Sequence, residues 1–287
     1  MTALLTPSDT STWLPLDGLA PGFDANRGPR TTALDGRTLT VSDERGTRIV
    51  HRFGAHRVDW DYHPGAGDPI AAASKSDDYE AFEIDDELYY VQFHHAHLPE
   101  EAVSLVLDLR SGEVLTVISI VGPEGQVPRV EQIVVPARLE ELPGRRPDAA
   151  AAVVGPHPSS RPHPTTELLG RRVFWQYSPE HAYEHVYLSP EWYTWQCLAG
   201  PERGLADTDA CTMWQLRPGI HLFAWREKVI PCASVTVADH RSAHSLRSHG
   251  MLFGLDSSGE EYVHFTFGAH GRLLSTTAYP EGFGTAE

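Results

Sequence analysis

Glu227 ends a run of alternate residues, His221, Phe223 and Trp225, that fall on one face of a β-strand because side chains alternate across it. An acid finishing an aromatic face invites a chemical reading. Carboxyl groups are rarely buried unless they are paired or used, and desolvation favours their protonated form. A buried Glu227 is therefore a general acid or base near neutral pH. Arg226 and Lys228 point to the opposite face and cannot be its inward partners.

Two neighbouring runs carry the same kind of face. Tyr183, His185 and Tyr187 alternate between Ala182 and Leu188, and Tyr193, Trp195 and Cys197 alternate between Trp192 and Leu198. Tyr177, Tyr183 and His185 are suited to orienting a phenol, enol or carboxylate beside Glu227. Trp175, Trp195, Trp214 and Trp225 supply flat apolar walls, with Tyr187, Tyr193 and Phe223 as further substrate contacts. Such a face would be sticky in water, which places it inside a barrel. A packed core whose rings satisfy one another would use the same residues, and the acidic Glu227 argues against it. Glu184, on the alternate face, is expected in solvent.

Other constellations are weaker. His94, His95 and His97 follow a strand, but no second cluster with ligand spacing lies near them in the chain. His240 and His244 sit in what reads as a turn. No metal and no cofactor is expected. Glycine-rich phosphate loops, nucleophile elbows and dinucleotide fingerprints are absent from the sequence.

The elements that must hold these residues are short. Before Val121 the runs Thr38–Val41, Arg48–Phe53, Tyr79–Ile84, Leu88–Phe93, Val103–Leu109 and Val114–Ile120 are rich in β-branched and aromatic types and are parted by turn residues such as Asp35-Gly36 and Ser111-Gly112. After Gly170 eight or nine more such runs follow, with no convincing helix. Closure into barrels removes the edges these sheets would otherwise expose. The expected fold class is all-β: two tandem antiparallel barrels, over 1–122 and 167–287, joined by a Pro-rich linker over 123–166.

Composition narrows the partners. A net charge of −16 repels phosphate backbones and anionic surfaces, so neither nucleic acid nor membrane is an expected partner. The three cysteines match no disulfide or zinc framework, and no run approaches the ~20 apolar residues of a membrane span; a soluble cytoplasmic protein is expected.

The stretches Leu169–Ser178, Tyr183–Tyr187, Tyr193–Gly200 and Leu222–Lys228 resemble MoaF-like proteins, as do Asp77–Phe82 and Val103–Asp108 in the first half. That resemblance implies two lipocalin-like barrels of the calycin type. The second half is also similar, more distantly, to phenolic acid decarboxylases, in which two tyrosines and an arginine hold the substrate and a glutamate is the acid. Tyr177 matches one tyrosine and Glu227 the glutamate. Trp175 takes the place of the other tyrosine, and Leu205 stands where the arginine is expected, with Arg203 close by.

Together these readings lead to a cofactor-independent lyase, isomerase or cyclase acting on an aromatic or polyunsaturated metabolite, with Glu227, Tyr177, Tyr183 and His185 as its catalytic set. The alternative is a lipocalin-type carrier or sensor in which Glu227 pairs with a ligand amine or hydroxyl. A small-molecule ligand is expected in either case, and a homodimer is compatible with both.

Overall fold

The computed structural model describes residues 13–140 and 161–280. A single turn of helix, α1 (Leu16–Leu19), precedes the first barrel. Its strands are β1 (Thr38–Asp43), β2 (Arg48–Phe53), β3 (Arg57–His63), β4 (Ala73–Asp85), β5 (Leu88–His94), β6 (Glu101–Asp108), β7 (Glu113–Val121) and β8 (Val130–Leu139). They pair antiparallel in chain order, and Val41 opposite Leu139 closes the barrel.

The second barrel is built from β10 (Arg171–Gln176), β11 (Ala182–Tyr187), β12 (Trp192–Ala199), β13 (Ala206–Arg217), β14 (Ile220–Arg226), β15 (Cys232–Asp239), β16 (Leu246–Leu255) and β17 (Tyr262–Thr276), after the two-residue β9 (His163–Pro164). Here β17 pairs with both β10 and β16, and β12 pairs with β13 to complete the ring. β9 adds itself to β13 through Trp214 opposite Pro164. The all-β class and the two closed antiparallel barrels are as the strand periodicity indicated. Among the described residues no helix is long and apolar enough to cross a membrane.

The expected boundaries need correction. β8 lies inside the stretch read as linker, and it supplies the strand that closes the first barrel. Its Pro136 is tolerated because β8 pairs there with β7 alone, the β1 ladder beginning only at Ala137. The prolines from Pro143 to Pro158 lie outside the described residues. At the other end, residues assigned to the first barrel belong physically to the second: Leu16, Leu19 and Phe23 are buried in its core, and Trp13 packs against it.

The barrels are packed together rather than strung in tandem. Outward side chains of the first, including Phe82, Tyr90, Val106 and Val117, form one buried cluster with Leu222, Val235, Met251 and Phe253 of the second. β5, β6, β14, β15 and β16 are consequently buried at almost every position, on both faces. A polar clasp borders this apolar seam. Arg217 donates to Asp85 at 2.8 Å and to Asp108 at 2.9 Å, and Arg241 reaches Asp85 at 3.1 Å.

Candidate functional site

Register brings the predicted residues together. Tyr183 lies opposite Trp175 on β10 and opposite Cys197 on β12, and His185 lies opposite Trp195. Glu227 follows β14 directly, and its amide still donates to the Cys232 carbonyl at 2.9 Å, so the strand alternation carries one step past its end. The lumen at this end holds a cavity of about 40 Å³ bordered by Tyr177, Tyr183, His185, Tyr193, Trp195, Trp225 and Glu227. That is space for a few waters and falls well short of the ~300 Å³ of a pocket for a drug-sized ligand.

The remaining predicted residues divide. Trp175, Tyr187 and Phe223 are buried in the same lumen but form the packed layer beyond the cavity rather than its wall. Trp214 is a correction: it points outward, beside the seam between the barrels, because the inward parity of β13 runs through Asp209, Cys211 and Met213. Glu184 is a second correction. It does occupy the outer face, yet it is 5% exposed, because Arg172 on the adjacent strand folds over it and donates to its carboxylate, one of the two bonds measuring 2.9 Å.

What fills the rest of the lumen is the chain's first described segment. Phe23 stacks on Tyr177 with ring centroids 4.4 Å apart, and Trp13 meets Trp195 edge-on at 5.3 Å. The segment then crosses the sheet as a strap. Asn26 donates its side-chain amide to the Gln176 carbonyl at 2.9 Å, and its own carbonyl accepts from Arg247 at 2.6 Å. Gly268 on β17 permits this approach, since a Cβ there would stand 2.6 Å from the Asn26 oxygen. The same strap reaches the first barrel where the Thr31 amide donates to Ala81.

Glu227 is not alone. Trp225 Nε1 donates to its Oε1 at 2.9 Å, Trp195 Nε1 donates to Asp209 at 2.8 Å, and the Tyr183 hydroxyl donates to Glu202 at 2.8 Å. The backbone of Leu14, in the strap, also hydrogen-bonds Glu202. Desolvation, reinforced by Asp209, Glu202 and Asp207, raises the Glu227 carboxyl well above the ordinary range and outweighs the Trp225 bond. Burial likewise raises Asp209 and Glu202. Lys228, the next residue, stays outside: its ammonium bonds Asp207 and the Thr208 carbonyl, and only its amide reaches Asp209, at 3.2 Å.

The neighbours are kept neutral by the same burial. Desolvation pushes His185 down to about 3, and its Nδ1 has no hydrogen-bond partner among the described residues. It raises the hydroxyls of Tyr177, Tyr183 and Tyr193, which therefore stay protonated donors. Among the described residues no lysine or arginine borders the cavity. Leu205 packs against the core, and Arg203 is exposed, so the arginine of the decarboxylase pattern has no counterpart in the wall.

Sequence reasoning missed Asp209 and Glu202. Asp209 is one period-two step before Cys211 on β13, and Glu202 sits in a turn, where acids are ordinarily solvated. The arrangement can hold a proton on a carboxyl in a buried, ring-lined space and release it there.

Comparison with known proteins agrees with the two-part organisation. The MoaF N-terminal domain matches residues 11–122, and the MoaF C-terminal domain matches residues 162–277. Protein MoaF of Klebsiella aerogenes is 38% identical over 125 residues, 43% of this chain and 47% of that protein. The match thus spans about half of that relative's length. Among solved structures, a Burkholderia vietnamiensis protein described as a candidate beta-lactamase is 14% identical, covering 38% of this chain and 96% of its own, with a TM-score of 0.32. The DNA polymerase III beta chain of Streptococcus pneumoniae is 7% identical, covering 89% of this chain and 80% of its own, with a TM-score of 0.15. Neither structural likeness bears on function. With its two domains matched in order, the chain belongs to the MoaF family.

Proposed function

We propose that the second barrel is a cofactor-independent acid–base catalyst, a lyase, isomerase or cyclase, for a small aromatic or polyunsaturated metabolite. The observation that carries this reading is the Glu227 carboxyl, raised by burial, at the wall of a cavity otherwise made of rings. A carboxyl protonated near neutral pH can give its proton to a substrate atom and take one back from another, which serves isomerisation, elimination and cyclisation alike. Tyr177, Tyr183 and Tyr193 supply neutral hydroxyls to orient the substrate, and the apolar wall keeps water away.

The wall's charge selects the substrate. Two wall carboxyl groups, Glu202 and Glu227, with no lysine or arginine beside them among the described residues, disfavour an anionic ligand and favour a neutral or cationic one. Because the cavity has room for only a few waters, entry requires the strap with Trp13 and Phe23 to withdraw, a conformational step of the kind that often limits turnover.

A second reading, a carrier for an amine, rests on the same ring cage with its carboxyl groups. Mass spectrometry of small molecules that copurify with the full-length protein would name the ligand, and incubation with that compound separates the two. Conversion by the wild type, reduced about 10²–10⁴-fold in Glu227→Gln with affinity kept within about tenfold, supports catalysis. Recovery of the compound at unchanged mass from the wild type favours the carrier.

A further inference from the structure

The first barrel holds a constellation that the acid–base reading does not use. β4 and β5 are registered so that Tyr79 faces Phe93 and Glu80 faces Gln92; one step further along, Asp77 meets His95. β5 and β6 pair His94 with Ala102, and the next step sets His95 against Glu101, confirmed by the His95 amide donating to the Glu101 carbonyl at 3.2 Å. Three adjacent strands therefore deliver carboxylate, imidazole and carboxylate at one level. His97, two residues further on in the connecting turn, brings a second imidazole with its ring centroid 5.2 Å from that of His95.

We propose that Asp77, His95 and His97 bind a divalent transition-metal ion of the zinc class at this end of the first barrel, with Glu101 behind the His95 ring as its outer acceptor. One ligand atom from each of the three lies within 4.8 Å of the others. His95 Nε2 is 3.4 Å from Glu101 Oε1, too long for a strong hydrogen bond. This leaves Glu101 on the far side of the ring from Asp77, where it can accept the Nε2 proton when Nδ1 takes an ion. One carboxylate and two neutral imidazoles leave a bound divalent ion with a net charge of about +1 and with positions for water. Mixed nitrogen and oxygen donors suit zinc, cobalt or nickel better than calcium or magnesium.

The donors are held in place before any ion arrives. Asp77 is 2% exposed and accepts from Trp60 Nε1 at 2.8 Å and from the Ala96 amide at 2.9 Å, while the 2.7 Å hydrogen bond between His95 Nδ1 and Asp77 marks where an ion would replace the shared proton. Such fixed outer bonds are what orient ligands in metal centres. His97 is exposed, so the site has an open side through which an ion can enter and exchange its waters. A bound ion would tie the turn from Ala96 to Glu100 to β4 and β5.

The test uses the full chain stripped with a chelator and dialysed. Calorimetric titration with Zn²⁺ is expected to give one saturable site per chain, and Co²⁺ to give a visible absorption band of a tetrahedral or five-coordinate ion. His97→Ala, an exposed change that leaves the metal-free melting temperature unaltered, should weaken Zn²⁺ binding at least about tenfold. His63→Ala, at an exposed histidine on β3, should leave it unchanged. The proposal is overturned if the wild type shows no saturable one-to-one binding of either ion, or if His97→Ala binds as the wild type does.

Discussion

The two barrels share a topology and differ in how each treats a buried acid. In the first, Asp77 is desolvated, yet bonds from Ala96, Trp60 and His95 outweigh that burial and hold its carboxyl below the ordinary range. In the second, Glu227 is desolvated too, but a single Trp225 bond opposes burial and three neighbouring carboxyl groups, and its pKa rises. The number and sign of the partners, rather than depth alone, decide whether a buried acid stays charged. The surrounding cores agree with this division. Aliphatic residues such as Leu39, Val58, Val91 and Leu105 fill much of the first lumen, while rings fill the second.

The barrels also differ in what closes them, and the strap tests that most severely. Phe23 is 4% exposed and touches five rings of the second barrel. Phe23→Ala is expected to cost about 3–5 kcal/mol in denaturant unfolding and to quicken binding of an apolar dye to the opened lumen. A loss under about 1 kcal/mol would detach the strap from the core. Next in size is the clasp. Arg217→Ala leaves Asp108 without its cation and Asp85 with Arg241 alone at the seam, and a loss of about 2–4 kcal/mol is expected, with both barrels still melting as one. Separate transitions would show the barrels to be energetically independent.

Much of this was legible in the chain, and what escaped shares one cause. Strand periodicity was enough for both barrels and for the inward face of Tyr183, His185, Trp195 and Glu227, because alternation is a local property. Contacts that depend on a distant partner were not readable. Phe23 meets Tyr177 across 154 positions of sequence, and Asp77 meets His95 only through a register no single strand encodes. Trp214 and Glu184 mark the same limit from the other side. Their faces follow from parity, but an outward residue is exposed only if nothing packs on it, and here a second barrel and Arg172 do. β8 was hidden because Pro136 masks a strand whose Val130, Ile133, Val134 and Val135 still carry the β-branched signal.

The carboxyl contrast has a thermal consequence of intermediate size. Folded Glu227 keeps its proton to a higher pH than the unfolded chain does. Its contribution to stability is therefore fully present below the ordinary carboxylate range and is lost as pH rises through the raised value. Glu227→Gln retains an oxygen for the Trp225 bond and removes the ionisation. The variant should melt about 2–4 °C higher than the wild type at pH 8 and nearly level with it at pH 4. An equal shift at both values would mean that packing, not charge, is what the substitution changes.

The smallest effect concerns the tryptophan that parity moved out of the lumen. Trp214 borders the seam on β13 and lies opposite Pro164 on β9, and it is not among the residues that line the cavity. Trp214→Phe keeps a ring of similar shape there, and a change of about 1 kcal/mol or less is expected, with ligand affinity and the response of Trp fluorescence to ligand both retained. Trp225→Phe is the matched inward change, since it deletes the indole N–H that bonds Glu227 at 2.9 Å. If both variants altered ligand affinity alike, inward and outward faces of the second barrel would not be functionally distinct. A response confined to Trp225→Phe ties ligand binding to the lumen face that ends in Glu227.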